Sequence, residues 1–262
     1  MFRALRHVGQ AARDRVAGGG DQYQKPQWQG QQYDNALLPG GDYHDNTDPS
    51  EYYHDDPYPQ QRQDPPLAWP LLINPDKTTP TPLFARMLDA IFDLAQSTDT
   101  NTMSQELLTP TRVAAVYKEL GYSPQDNLPA LLLQAAQNSG DNTRVNEGMK
   151  MAWKIFELEY TTTGNVPGLT KQGFRDMMVR DALIYPPGQA MAYNALLGKH
   201  RAQITRYAQG EMFPAEDIAT ECFMPRGVPE SGDVETQRVY RERQGVWGRE
   251  YSARFPPETC ML

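Results

Sequence analysis

Two side chains in the central part of the chain could act as reactive groups: His200 and Cys222. A nucleophilic relay would need them side by side, with an acid orienting the imidazole. His200 stands between Lys199 and Arg201 on a helical stretch, which predicts a solvated helix histidine. Cys222 shares an apolar face with Ile218, Ala219 and Phe223, which predicts a small buried hydrophobe rather than a thiolate. A second candidate is the loop that begins at Glu159. There Gly164 and Val166 fall at the sixth and eighth positions of a calcium loop. Thr161, Thr163, Pro167 and Thr170 stand where charged or carbonyl oxygens are needed, so too few ligands remain to replace the ion's hydration shell. A third is the repeated Tyr-His-Asp at 43–45 and 53–55, whose His44 and His54 lie in an acidic low-complexity tract unsuited to a defined metal site. The remaining Asp and Glu residues are read as helix-surface and helix-start groups. No phosphate-binding glycine loop, zinc-helix motif, nucleophile elbow or kinase signature occurs. From the sequence we assign no catalytic residue, no cofactor-binding residue and no metal ligand.

The elements that would position any site are helical. Val145, Met149, Ala152, Trp153, Phe156 and Tyr160 follow i+3 and i+4 steps, predicting a helix that runs to the Thr161–Gly164 break. Thr170 is placed to cap a following helix whose stripe is Phe174, Met177, Met178, Ala182 and Tyr185, ending at Pro186-Pro187. Upstream, Trp69, Leu71, Leu72 and Ile73 read as a short extended entry. Thr81-Pro82 and Thr109-Pro110 each open a helix, and a third starts near Pro129. Downstream, a helix spans roughly Gly188–Arg206 and a short one carries Ala215–Phe223. Beyond Arg226 charge, glycine and proline return, and Gln237–Arg249 is expected to be at most a transient helix. The fold class is therefore all-α, a single compact bundle of about six to seven helices over residues 67–226. It is flanked by a disordered Gln/Tyr/Asp/Pro-rich region at 1–66 and a polar tail at 227–262.

Charge and cysteine count narrow the function classes. Net charge is -8, and of residues 1–20, 21–66, 67–225 and 226–262 only the first segment is net positive, with Arg3, Arg6, Arg13 and Arg15 against Asp14. Nucleic-acid binding is disfavoured, because phosphate neutralisation has no obvious source in segments that are neutral or acidic overall. No apolar run is long enough for a transmembrane segment. Two cysteines make neither a disulfide framework nor a four-ligand zinc site. An intracellular location, cytoplasmic or nuclear, is the expectation. Residues 1–16 add a mitochondrial or membrane-surface alternative: Leu5, Val8, Ala12 and Val16 share one face of a basic helical pattern.

Four segments carry a family likeness: TPTPLFARMLDAI at 79–91, LLTPTRVAAVY at 107–117, VPGLTKQGFRDMMVRDALIYP at 166–186 and MFPAEDIATECFMP at 212–225. In order and spacing they resemble an uncharacterised helical domain of filamentous fungi, a domain of unknown function, over roughly Trp69–Arg226. The chain departs from that pattern near Arg175–Met178, where Met177 and Met178 replace a further large aromatic. The resemblance implies a helical fold and a fungal, intracellular origin, and it brings no catalytic residue with it. The expected function is a non-enzymatic helical module that binds protein partners. The alternatives are an enzyme working in a helical cleft through His200 or Cys222, or a protein directed to mitochondria or a membrane surface by residues 1–16.

Overall fold

Hydrophobic stripes and proline starts place most of the elements. A computed structural model describes residues 68–97, 106–210 and 212–256, and the low-complexity flank, residues 1–16 and Cys260 lie outside them. Among the described residues the fold is all-α, with seven helices: α1 (Pro82–Ser97), α2 (Pro110–Glu119), α3 (Leu128–Ser139), α4 (Thr143–Ile155), α5 (Lys171–Ile184), α6 (Pro186–Tyr207) and α7 (Val234–Arg254). Four of them begin on or next to a proline, whose fixed φ suits the first turn and whose missing N–H is no loss there. Thr170 caps α5 as expected, its hydroxyl accepting from Gly173 N at 3.1 Å.

The core runs through the middle of the bundle. α1 packs on α5 and α6 with Phe84, Met87, Leu88 and Phe92, all fully buried. Phe84 meets Tyr193 and Phe223 edge-on at 5.5 and 5.6 Å. Trp153, on the stripe that predicted α4, is 2% exposed and tilts against Tyr160.

Three expectations are corrected. The helix predicted through Tyr160 stops at Ile155, because Glu157 turns to φ 54° and the chain enters an antiparallel hairpin, β1 (Tyr160–Thr163) with β2 (Val166–Leu169). Three consecutive β-branched threonines and a turn glycine at φ 61° favour that ladder over a calcium-type loop. The helix expected at Ala215–Phe223 is an extended segment ending in one 3-10 turn, Thr220–Phe223. It is held from the side: Asn194 exchanges two hydrogen bonds with the Ile218 backbone (3.0 and 2.7 Å), Trp69 Nε1 donates to Glu216 O, and Leu72 N donates to Cys222 O.

The third correction is the largest. The stretch expected as a polar tail contains α7, twenty-one residues laid against α4 and α5. Tyr240, Gln244 and Trp247 are buried, and with half-buried Tyr251 they form a stripe at i, i+4, i+7 and i+11 among charged neighbours. Asp233 caps it, accepting from Thr236 N at 2.9 Å and pairing with Lys77 at 2.7 Å. Gly232, at φ 96°, is required by the approach to α5: a Cβ there would lie 2.2 Å from the Ile184 carbonyl.

Candidate functional site

The break between α5 and α6 makes the site. Tyr185 has non-helical backbone angles and Pro186 restarts the helix, so the end of α5 and the first turns of α6 diverge. The turn after α2 closes one side and α7 lies across the other. Between them is a cleft of about 630 Å³, within the range of ligand pockets. Its walls are mainly apolar: Leu120, Ile184, Tyr185, Met191, Ala192 and Ala195. Met191 and Tyr185 stand exposed at the mouth, 72% and 41%.

The polar groups converge at depth. Asp181, 1% exposed, accepts a hydrogen bond from Tyr117 Oη at 2.9 Å. Burial raises its carboxyl above the usual range, because the charged form loses its hydration. Gln189, 2% exposed, donates through Nε2 to Tyr122 Oη, and its Oε1 has no protein partner. Whichever way that carboxamide is turned, one heavy atom bonds Tyr122 and the other, itself buried, is left without a protein partner. Tyr240, 3% exposed, brings a hydroxyl from α7 that also lacks a protein partner. Desolvation pushes the Tyr117, Tyr122 and Tyr240 hydroxyls well above their ordinary range, with the nearby Asp181 charge adding to it, so all three stay protonated. The rim is mixed: Asp126 accepts from Ser123 Oγ at 2.7 Å, and Gln237 and Arg241 face them from α7.

The arrangement can hold a hydrogen-bond donor at depth and apolar groups around it. Asp181 and Gln189 offer acceptor oxygens in low-dielectric surroundings, where such bonds count for more than in water. A second cleft, about 490 Å³ between the 77–79 loop, α5 and α7, has its charges engaged. Arg180 and Arg243 both donate to the Phe156 carbonyl (2.7 and 3.1 Å), Arg243 also pairs with Glu157 at 2.5 Å, and Lys77 pairs with Asp233. Those bonds latch α7 to the bundle.

The reactive pair considered from the sequence is not brought together. His200 Nε2 lies 3.2 Å from Glu119 Oε2 and its Nδ1 lies 2.8 Å from Gln203 Oε1. The hydrogen bond from His200 holds the Glu119 carboxyl below its usual range. Cys222 is fully buried, its thiol donates to the Trp69 carbonyl at 3.4 Å, and burial pushes the thiol up, away from the nucleophilic thiolate. Neither residue lines the cleft. Among the described residues no group of three His, Cys, Asp or Glu side chains is placed to hold a metal ion.

Asp181 shows what the sequence reading missed. It was placed with the surface acids, yet it stands seven residues after Phe174 and four after Met177, on the apolar stripe itself. An acid on a core face was the available signal. Gln189 and Tyr240 gave none, since the turn that brings them together is tertiary.

No helix among the described residues is long and apolar enough to cross a membrane. No curated protein and no solved structure matches the chain. A family model described as a domain of unknown function, DUF7514, matches residues 71–243, from the entry segment through the first half of α7. The match takes in every element that forms the cleft and covers well over half of the sequence, so the chain belongs to the DUF7514 family.

Proposed function

We propose that this protein is a non-enzymatic interaction module, and that the cleft between α5, α6 and α7 receives a polypeptide segment presenting a basic side chain flanked by apolar residues. One observation carries the reading: two side chains more than nine-tenths buried, Gln189 and Tyr240, line an open apolar cleft with polar atoms that no protein group satisfies. Buried polar atoms are ordinarily paired, and one left over at a cleft marks the place of a bound group. The deep acceptors select the donor. A guanidinium or ammonium can bond Gln189 and add to the bonds of Asp181, and its methylene stem suits the walls. The mouth residues Met191 and Tyr185 offer apolar contact to the neighbours of that side chain.

The test is a titration calorimetry series on the full chain. Its peptides carry apolar residues around one central position that is Arg, Lys, Gln or Glu. The expected order is Arg and Lys above Gln, with Glu weakest by at least tenfold. Ala195, exposed at the mouth, allows a blocking change: Ala195→Trp should remove binding while the helical circular dichroism stays unchanged. Equal affinity for the Arg and Glu peptides, or binding that Ala195→Trp leaves intact, would overturn the reading.

A further inference from the structure

Every charged group lining the second cleft has a bond, but the bonds are of two kinds. Lys77 is paired with Asp233, Arg243 with Glu157 and Glu235 with Arg238. Two groups on the α5 wall are met only by neutral partners. Arg180 donates one guanidinium N–H to the Phe156 carbonyl at 2.7 Å, and Asp176 accepts from Gln172 Nε2 at 2.7 Å. Both are partly buried, and neither forms an ion pair among the described residues. They stand one helical turn apart, so a cation and a carboxylate border the same space side by side. We infer that the second cleft binds a free α-amino acid with an apolar side chain, its carboxylate on Arg180 and its ammonium on Asp176.

Charge selects this class of ligand. The lining cations Lys77, Arg180 and Arg243 are matched by the acids Glu157, Asp176 and Glu235, so the cleft favours neither a net anion nor a net cation. Once the ion pairs are made, one group of each sign is left over, which fits a zwitterion. Bonding capacity agrees. A guanidinium is a planar fork of N–H donors matched to a carboxylate, and Arg180 gives only one of them to Phe156. Asp176 keeps an oxygen beyond its bond to Gln172 for an ammonium. Burial lifts the Asp176 carboxyl above its usual range, and burial together with Arg243 lowers the Arg180 guanidinium, so both charges lack full compensation in the empty cleft. Cβ atoms four residues apart on a helix lie roughly 5–6 Å from each other, which suits two charges carried on one carbon. Val179, Leu183, Val239 and the Tyr240 ring supply the apolar part, and about 490 Å³ leaves room for a side chain. The backbone also marks the place. Lys77 and Glu157 take positive φ, 58° and 54°, a conformation uncommon outside glycine that gathers at ligand clamps.

The experiment is titration calorimetry of the full chain with three probes: leucine, leucinamide, which lacks the carboxylate, and N-acetyl-leucine, which lacks the ammonium. Leucine should bind in the millimolar range or tighter. Each derivative should bind weaker by roughly tenfold or more, the value of a hydrogen bond to a charged group. Asp176→Asn touches none of the bonds that latch α7. It should lower the affinity for leucine to that for N-acetyl-leucine, and leave N-acetyl-leucine where it was. Arg180→Gln should do the same with respect to leucinamide. Should that variant loosen α7, Asp176→Asn decides the matter alone. Ala195→Trp, which blocks the first cleft, should leave leucine binding unchanged, so the fate of the docking reading is read separately. Absence of leucine binding, equal affinity for the three probes, or a preference for leucine over N-acetyl-leucine that survives Asp176→Asn would overturn the inference. Loss of leucine binding in Ala195→Trp would also overturn it, by moving the ligand to the first cleft.

Discussion

Trp247 decides whether α7 belongs to the folded core. The side chain is 5% exposed, stacks on Tyr251 with ring centroids 5.0 Å apart, and donates from Nε1 to the Gly148 carbonyl at 3.1 Å. A tryptophan buries roughly 150–250 Å². At about 25 cal/mol per Å², transfer alone comes to about 4–6 kcal/mol as an upper bound, since the unfolded chain already hides part of that area. Large-to-small core changes at aromatic positions cost about 3–5 kcal/mol, and we take that range for Trp247→Ala. A fold of this size loses roughly 2–4 °C per kcal/mol, so the melting temperature should fall by roughly 6–20 °C. Trp247→Phe separates the contributions: it keeps a ring but loses the Nε1 bond to the Gly148 carbonyl, which stays paired within α4, for about 0.5–1.5 kcal/mol. The assay is urea unfolding of the full chain, followed by far-UV circular dichroism at constant m. A loss below about 0.5 kcal/mol for Trp247→Ala, the size of an ordinary surface change, would mean that α7 is the transient tail its charges suggest, and the cleft would lose its α7 wall.

Three further outcomes follow from particular contacts. Gly148→Ala would add about 1 kcal/mol to an isolated helix, but a Cβ there would lie 2.8 Å from the Tyr251 ring and 3.1 Å from Leu132; thermal unfolding should show no gain, and a rise near the full propensity value would contradict the docking of α7. A thiol reagent should label Cys222 only as fast as the domain unfolds, checked by mass-resolved labelling along a urea series, and rapid native labelling would contradict its burial. Asp181→Asn should help stability in a pH-dependent way. Its folded pKa is raised above the unfolded value of about 3.9, so the folded state holds the proton more strongly and the favourable contribution of burial is present in acid. It is lost as pH rises through the folded value. The amide can still accept from Tyr117, so the stability of the variant relative to the parent should grow from pH 4 to pH 7.5. A difference that is flat, or that grows toward acid, would refute the buried-carboxylate assignment.

What could be read from the sequence was whatever local pattern determines. Phe84, Met87, Leu88, Ile91 and Phe92 set α1 in register, Thr170 marked a start that the structure keeps, and Pro186, read as the end of one helix, also opens the next two residues before the expected Gly188. The hairpin was missed because Tyr160 continues the α4 stripe in period, while Glu157 and three threonines redirect the backbone before it. Period outweighed β-propensity in the reading, and tertiary pairing to Leu108 reversed that in the fold. α7 was missed because its stripe is one residue wide in a run of charge. Four contacts at Tyr240, Gln244, Trp247 and Tyr251 are enough when the receiving surface is preformed by α4 and α5. The cleft was illegible because it is built from four separate elements, and a buried acid looks the same in sequence as a solvated one until its neighbours are known.

The floor of the cleft is costly to a fold, and that cost separates a binding site from a packing defect. An unsatisfied buried polar atom costs about 1–3 kcal/mol, and here Gln189 Oε1 and Tyr240 Oη both lack protein partners beside a desolvated carboxylate. A leucine and a phenylalanine at those two positions would remove the penalty without enlarging either side chain much, and the surrounding walls are already apolar. Stability alone therefore does not account for the polar floor. The same positions are tied into structure on their outer sides: Gln189 through Tyr122, Asp181 through Tyr117, and Tyr240 through its ring stacked on Phe156 at 5.2 Å. Side chains fixed on one side and unsatisfied on the other are preorganised for a group that arrives from the cleft, because ordering costs have already been met in folding. That asymmetry is the physical ground for placing the interaction surface at the divergence of α5 and α6 rather than on the charged face of α7, where Arg238, Arg243 and Arg254 are paired with Glu242, Glu157 and Glu147.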